Sequence, residues 1–225
     1  GGDGLDWVRL DDNPISAMSV DLNAGRVTDQ FGGTDALISI ENVLATFYND
    51  TLKGDAGDNH LNGGAGDDVF VVSGGADTFD GGTGTDSISF ENASAPILID
   101  LNQTNGSLAI DGDTITLIDL ERFVTTDGAD TFIGSQNADG LDAGAGDDLV
   151  LGYTSDDTLD GGLGIDTLDV SSDNTSQNIN LSFNGPAGFE IIKAGGGDDY
   201  LTLANTASTV DGGAGNDTLL GGSGD

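Results

Sequence analysis

A nine-residue period, kept over consecutive units with almost no slack, constrains this chain more than anything else in it. From residue 45 the sequence divides into ATFYNDTLK, GDAGDNHLN, GGAGDDVFV, VSGGADTFD and GGTGTDSIS. The sixth place is Asp50, Asp68, Asp77 or Asp86 in four of these units and Asn59 in the other. The eighth place is always apolar: Leu52, Leu61, Phe70, Phe79 and Ile88. Glycines crowd the first four places, so each unit pairs a turn with one fixed carboxylate and one fixed apolar side chain.

The same unit recurs elsewhere. Residues 125–169 hold five more copies, with Asp130, Asp139, Asp148, Asp157 and Asp166 sixth and Phe132, Leu141, Val150, Leu159 and Leu168 eighth. A run from residue 194 places Asp199, Ser208 and Asp217 sixth and Leu201, Val210 and Leu219 eighth, and residues 1–9 form a single copy with Asp6 and Val8. Between the blocks lie inserts at 10–44, about 90–124 and about 170–193 that lack the period. Their strand candidates are Ala17–Leu22, Ala36–Ile40, Pro96–Leu101 and Thr114–Leu120, around turn signals at Asn23-Ala24-Gly25 and Gly32-Gly33.

A longer period lies above the nonapeptide. GGDGLD at residue 1, GGTGTD at 81 and GGLGID at 161 are evenly spaced along the chain. Ile40-Glu41-Asn42-Val43 matches Leu120-Glu121-Arg122-Phe123 at that same offset, and Phe189-Glu190-Ile191-Ile192 comes early because the third insert is shorter. The domain organisation expected is therefore three repeats, 1–80, 81–160 and a truncated 161–225, each a coil block plus an insert. The chain opens and closes inside a repeat, which predicts a fragment of a longer array.

The last three residues of each unit, alternating outward, inward and outward, make a strand of about 10 Å. One strand and one turn reverse the chain, so two units return it, and stacked turns on one side are two nonapeptides apart. Asp50, Asp68 and Asp86 then line one side, with Asn59 and Asp77 on the other; Asp130, Asp148 and Asp166 oppose Asp139 and Asp157 likewise. Carboxylates stacked about 4 Å apart at an effective dielectric of about 20 repel by roughly 4 kcal/mol a pair, so a cation is required. Carboxylate and carbonyl oxygens without Cys or His describe a hard-ion site, and a flexible loop favours Ca²⁺ over the stricter octahedron of Mg²⁺. Glycine lets each turn aim several carbonyls inward.

Composition supports this and excludes other classes. Forty acidic residues against five basic ones (Arg9, Arg26, Lys53, Arg122, Lys193) give a formal charge of −35, which argues against nucleic acid or an anionic membrane as partner. Such a chain is disordered unless its acids are neutralised. Without Cys there is no disulfide framework and no thiolate site, which favours another kind of staple, of which a metal is one. No run of apolar residues long enough to span a membrane and no signal peptide is visible.

These units resemble the RTX (repeats-in-toxin, haemolysin-type) calcium-binding nonapeptide repeat, over more than half of the chain. The resemblance implies an all-β fold, a right-handed parallel β-roll with β-rich inserts, in which each of two turns supplies half a Ca²⁺ site. It implies that turn carbonyls join the sixth-place aspartates, at Gly63, Gly64, Ala65 and Gly66 with Gly81, Gly82, Thr83 and Gly84. The equivalent sets are Gly144, Ala145 and Gly146 with Gly161, Gly162, Leu163 and Gly164, and Gly195 and Gly197 with Gly212, Gly213, Ala214 and Gly215. Roughly six to eight ions follow. Asn59 is a weaker ligand, and Ser208 is no ligand.

The family further implies a module of a large bacterial protein, secreted by a type I route to the exterior or cell surface, with calcium as the folding trigger. Its partners would be Ca²⁺, neighbouring repeats and, through the parent protein, a cell-surface or polysaccharide ligand. A spacer role in an adhesin competes with an accessory role beside a peptidase, lipase or polysaccharide-modifying enzyme. No catalytic residue is expected, because no nucleophile and base can be assembled here and a glycosidase cleft would need more aromatic lining than one Trp and three Tyr. The fifth-place acids, His60 and Trp7 are expected to face outward, Trp7 against an insert, and Glu41, Glu121 and Glu190 to tie inserts to the roll.

Overall fold

Extended backbone comes mostly in threes in this chain. A computed structural model describes residues 1–12, 15–103, 106–180, 188–202 and 209–221; Ser208 and Leu181 lie outside them. Among the described residues every regular element is a strand, and most span places seven to nine of a nonapeptide, for example Thr51–Lys53, Val69–Val71, Ser87–Ser89 and Leu149–Leu151. The chain divides into two compact units, Gly1–Ser94 with Gln103–Val124, and Ala95–Asn102 with Thr125–Asp225.

In the first unit one sheet runs Trp7–Arg9, Asn42–Leu44, His60–Ala65, Thr78–Thr83 and Asp113–Ile118, all parallel, with Ser107–Ile110 antiparallel at its edge. The facing sheet runs Arg122–Val124, Ser87–Ser89, Val69–Val71, Thr51–Lys53 and Met18–Asp21 in parallel, then Arg26–Asp29 and Thr34–Ala36 as an antiparallel extension. Within each nonapeptide block, a strand pairs with the one two units further on, as with Leu52 opposite Phe70 and Leu61 opposite Phe79. This is a parallel β-roll with two strands per turn. The second unit repeats it, with Leu98–Asp100, Thr131–Ile133, Leu149–Leu151, Thr167–Asp169, Ile191–Lys193 and Thr209–Asp211 in one sheet. Gly140–Asp142 pairs with Thr158–Asp160, and Asn178–Asn180, Tyr200–Thr202 and Thr218–Leu220 pair in turn.

The eighth-place side chains form the core. Leu52, Leu61, Phe70, Phe79, Ile88 and Leu168 are fully buried, and the rings of Phe70 and Phe79, from opposite sheets, meet edge-on at 5.8 Å. The inserts feed the same column: Val20 stands in register with Leu52, Ile99 with Phe132 and Ile179 with Leu201. Val43, Phe123 and Ile192 do the same at the insert ends, beside Leu61, Ile88 and Leu168. Each insert thus supplies strands in register with the nonapeptides near both of its ends.

The insert strands differ from the sequence expectation at their ends. Ala36–Ile40 is not extended as a unit: the strand is Thr34–Ala36, and Ser39 takes a left-handed φ of 53°. Thr114–Leu120 is replaced by Asp113–Ile118, with Asp119 at φ 48°, and Pro96–Leu101 shortens to Leu98–Asp100. The hairpin strands Arg26–Asp29 and Ser107–Ile110 carry too little apolar alternation to be read from sequence.

Candidate metal centre

The sixth-place residues form a ladder of their own. The N–H of Asp50 donates to Oδ1 of Asp68 (2.7 Å), and the N–H of Asp68 to Oδ1 of Asp86 (2.7 Å). Asp130 donates to Asp148 and Asp148 to Asp166 in the same way (2.7 and 2.8 Å). On the other sides Asn59 donates to Asp77 (2.9 Å), Asp139 to Asp157 (2.9 Å) and Asp199 to Asp217 (3.0 Å). One carboxylate oxygen per aspartate is therefore spent on the rung below. The inserts close the lower ends, with Met18, Ile97 and Gln177 donating to Asp50, Asp130 and Asp199.

The second oxygen separates the turns into two kinds. In Asp50 it accepts from the N–H and hydroxyl of Thr46 (2.7 and 2.8 Å), in Asp130 from those of Thr126, and in Asp139 from those of Ser135. Thr154 N–H reaches Oδ2 of Asp157 at 2.6 Å with its hydroxyl on Oδ1, and the Ser73 hydroxyl reaches Asp77 at 3.2 Å. Asn59 has no such oxygen to spare: its Oδ1 accepts from Asp55 N–H. By contrast, Oδ2 of Asp68, Asp86, Asp148, Asp166 and Asp199 is buried without any hydrogen-bond partner. All five belong to turns with glycine at the second place, and each hydroxyl-held aspartate belongs to a turn with Ser or Thr at the second or third.

A buried carboxylate with an uncommitted oxygen is costly as an anion. Burial pushes the Asp68 carboxyl up to about 7, with the Asp50 N–H pulling it back and the charges of Asp50, Asp86 and Asp67 raising it further. Burial likewise lifts Asp148 to about 6 and Asp77 to about 6, and raises Asp86 and Asp166. A divalent cation relieves the desolvation and the like-charge repulsion together.

The glycine turns are shaped to admit one. Second-place Gly64, Gly82, Gly144, Gly162 and Gly213 and fourth-place Gly66, Gly84, Gly146, Gly164 and Gly215 all have positive φ. The turns stack backbone on backbone: a Cβ on Gly84 would lie 1.9 Å from the Gly66 carbonyl oxygen, and one on Gly164 1.6 Å from that of Gly146. First-place Gly63, Gly81 and Gly161 face the free Oδ2 of Asp68, Asp86 and Asp166, where a Cβ would fill the space before it, and Gly212 faces Oδ2 of Asp217. Third-place residues carry the ladder, Ala65 with Thr83, Ala145 with Leu163, and Ala214 with Gly196. Gly195 and Gly197 present their carbonyls to Gly213 and Gly215 in the same manner. No group of three or more acidic, His or Cys side chains converges on one point among the described residues. A cation here would therefore take most of its oxygens from backbone, as the donor set of a hard ion allows.

Asp6 departs from the pattern: it is half-buried, and its Oδ2 accepts from Gly2 N–H (2.8 Å). The fifth-place acids are exposed, yet Asp58, Asp67, Asp147 and Asp198 each accept the N–H of the fifth place one rung on, at 2.8 to 2.9 Å. Sequence reading missed this second ladder; its signal was the polar fifth place beside the fixed sixth. Trp7 stands in register with Asn42 at the end of the first insert and packs edge-on against His60 of the roll at 5.1 Å.

Stacked turns, a carboxylate ladder and buried oxygens awaiting a charge define a calcium-binding parallel β-roll. The model of the RTX calcium-binding nonapeptide repeat (4 copies) matches residues 44–78, 70–88, 121–150, 133–168 and 194–225. These segments cover more than half of the chain, and the chain belongs to that family. No curated protein matches it.

Proposed function

We propose that this chain is a structural module of a secreted or cell-surface protein, unfolded where calcium is scarce and folded by calcium outside the cell. The observation that carries the reading is the set of buried, unpartnered Oδ2 atoms on Asp68, Asp86, Asp148, Asp166 and Asp199. The ions go first to those turns, with carbonyls of the glycine sets at 63–66, 81–84, 144–146, 161–164, 195–197 and 212–215 as co-ligands. The hydroxyl-held turns of Asp50, Asp130, Asp139, Asp157 and Asp77 keep their form with less help from a cation. Because the core is one side chain deep per rung, ion binding supplies folding free energy that burial alone does not.

The repeated placement of insert strands in the roll supports a spacer role, since an array that grows by equivalent coils lengthens without new contacts. No catalytic residue is assigned. The test is a calcium titration of the chelated chain followed by circular dichroism: strand signal should rise cooperatively with calcium, and a full strand spectrum in excess chelator would refute the reading.

A further inference from the structure

Asp86 and Asp166 end their columns of glycine turns, and beyond each stands the return of an insert instead of another nonapeptide. The return imitates a turn. Glu121 Oε2 accepts the N–H of Asp86 at 2.8 Å, as Asp86 itself accepts that of Asp68, and Glu190 Oε2 accepts the N–H of Asp166 at 3.0 Å. The N–H groups of Glu121 and Arg122 both donate to the Asp86 carbonyl (3.1 and 2.9 Å), and those of Glu190 and Ile191 to that of Asp166 (3.1 and 2.9 Å).

Two residues before each glutamate the backbone is left-handed, φ 48° at Asp119 and 69° at Gly188. A Cβ on Gly81 would lie 2.1 Å from the Asp119 carbonyl oxygen and 2.6 Å from Oδ2 of Asp86. A Cβ on Gly161 would lie 2.6 Å from the Gly188 carbonyl oxygen and 3.0 Å from Oδ2 of Asp166. In both places a carbonyl and a carboxylate oxygen converge on one gap, which the glycine keeps open. Both Oδ2 atoms are buried and without a hydrogen-bond partner.

We infer that Glu121 and Glu190, each with the left-handed residue two before it, complete calcium sites with Asp86 and Asp166, supplying the half that a following nonapeptide would supply elsewhere. The inference rests on the calcium reading above and adds ligands outside the nonapeptides. Glu41 makes the same bond, to the N–H of Asp6 at 2.9 Å, but Oδ2 of Asp6 already accepts from Gly2, so the inference stops at the other two. A hydrogen bond alone would be served equally by glutamine, whereas an ion needs the charge.

The test is calcium binding by the full chain carrying Glu121→Gln, Glu190→Gln or both, measured by equilibrium dialysis and calorimetry, with circular dichroism at saturating calcium as the folding control. Glutamine keeps the acceptor for the N–H. Each single variant should lose one bound ion or weaken one site by about tenfold or more, and the double variant two. Unchanged ion number and affinity in the folded variants would overturn the inference and leave the sites at Asp68 and Asp148 standing. An unaltered chain that binds no calcium would instead defeat the underlying reading. If a variant fails to fold, calcium anomalous scattering from crystals of the unaltered chain decides: a peak between Asp86 and Glu121 supports the assignment, and none there rejects it.

Discussion

A sixth-place aspartate has two oxygens with separate duties. Oδ1 ties rungs together, and Oδ2 is bare in five turns with glycine at the second place, while the hydroxyls of Thr46, Ser73, Thr126 and Ser135 occupy it in others and the Gly2 N–H does so at Asp6. Thr126→Gly takes the hydroxyl, one of two donors, from Oδ2 of Asp130 and should make that turn a better calcium site; an unchanged ion count and affinity by equilibrium dialysis would contradict this division of turns. Protons compete with the ions. Carboxyls lifted to about 7 in Asp68 and about 6 in Asp148 bind protons more tightly in the fold than in the unfolded chain. Their contribution to the chelated fold is full below the ordinary carboxyl value near 4 and is lost as pH rises towards 7. In chelator, strand content measured by circular dichroism should increase on acidification from pH 7 to 4; a decrease would show that the carboxyls are not buried as described. The sequence located these aspartates by spacing, but which oxygen each neighbour takes is a matter of side-chain direction, which spacing does not encode.

At the scale of the element, a rung is a short strand and a longer turn, and in the glycine turns each part has one position where truncation or an added Cβ should cost most. Gly84 packs on the Gly66 carbonyl at φ 154°. Gly84→Ala therefore carries both strain and a clash and should destabilise the calcium-loaded fold by about 1–3 kcal/mol, read as a lowered melting temperature with calcium in excess. Phe70 is fully buried against Phe79, and Phe70→Ala should cost about 3–5 kcal/mol by the same measurement. A melting point unmoved by either change would mean that the turns do not stack or that the core is not where it is placed. The strands were legible from the period because each has a single inward side chain, always the eighth. The outer strands of the insert hairpins were not, since Arg26–Asp29 extends an edge and needs no apolar alternation to stay there.

Over the whole molecule the charge of −35 opposes compaction until cations offset it, so removal of calcium should abolish the cooperative thermal transition altogether. A cooperative transition surviving in excess chelator, measured by calorimetry, would show that apolar burial is sufficient. Periodicity gave the two strands per turn and the core residues, the oxygen-only donor set gave the class of ion, and the resemblance to the RTX repeat gave the roll. The inserts were different. Val20, Ile99 and Ile179 enter the core column, and Glu121 and Glu190 finish the aspartate ladders, through partners further off along the chain than any within a nonapeptide block. Their recurrence at the insert boundary marked Glu121 and Glu190 as ties to the roll, but which rung each meets has no local pattern; it is decided when a completed rung offers its unpaired N–H groups and apolar edge to the segment that returns.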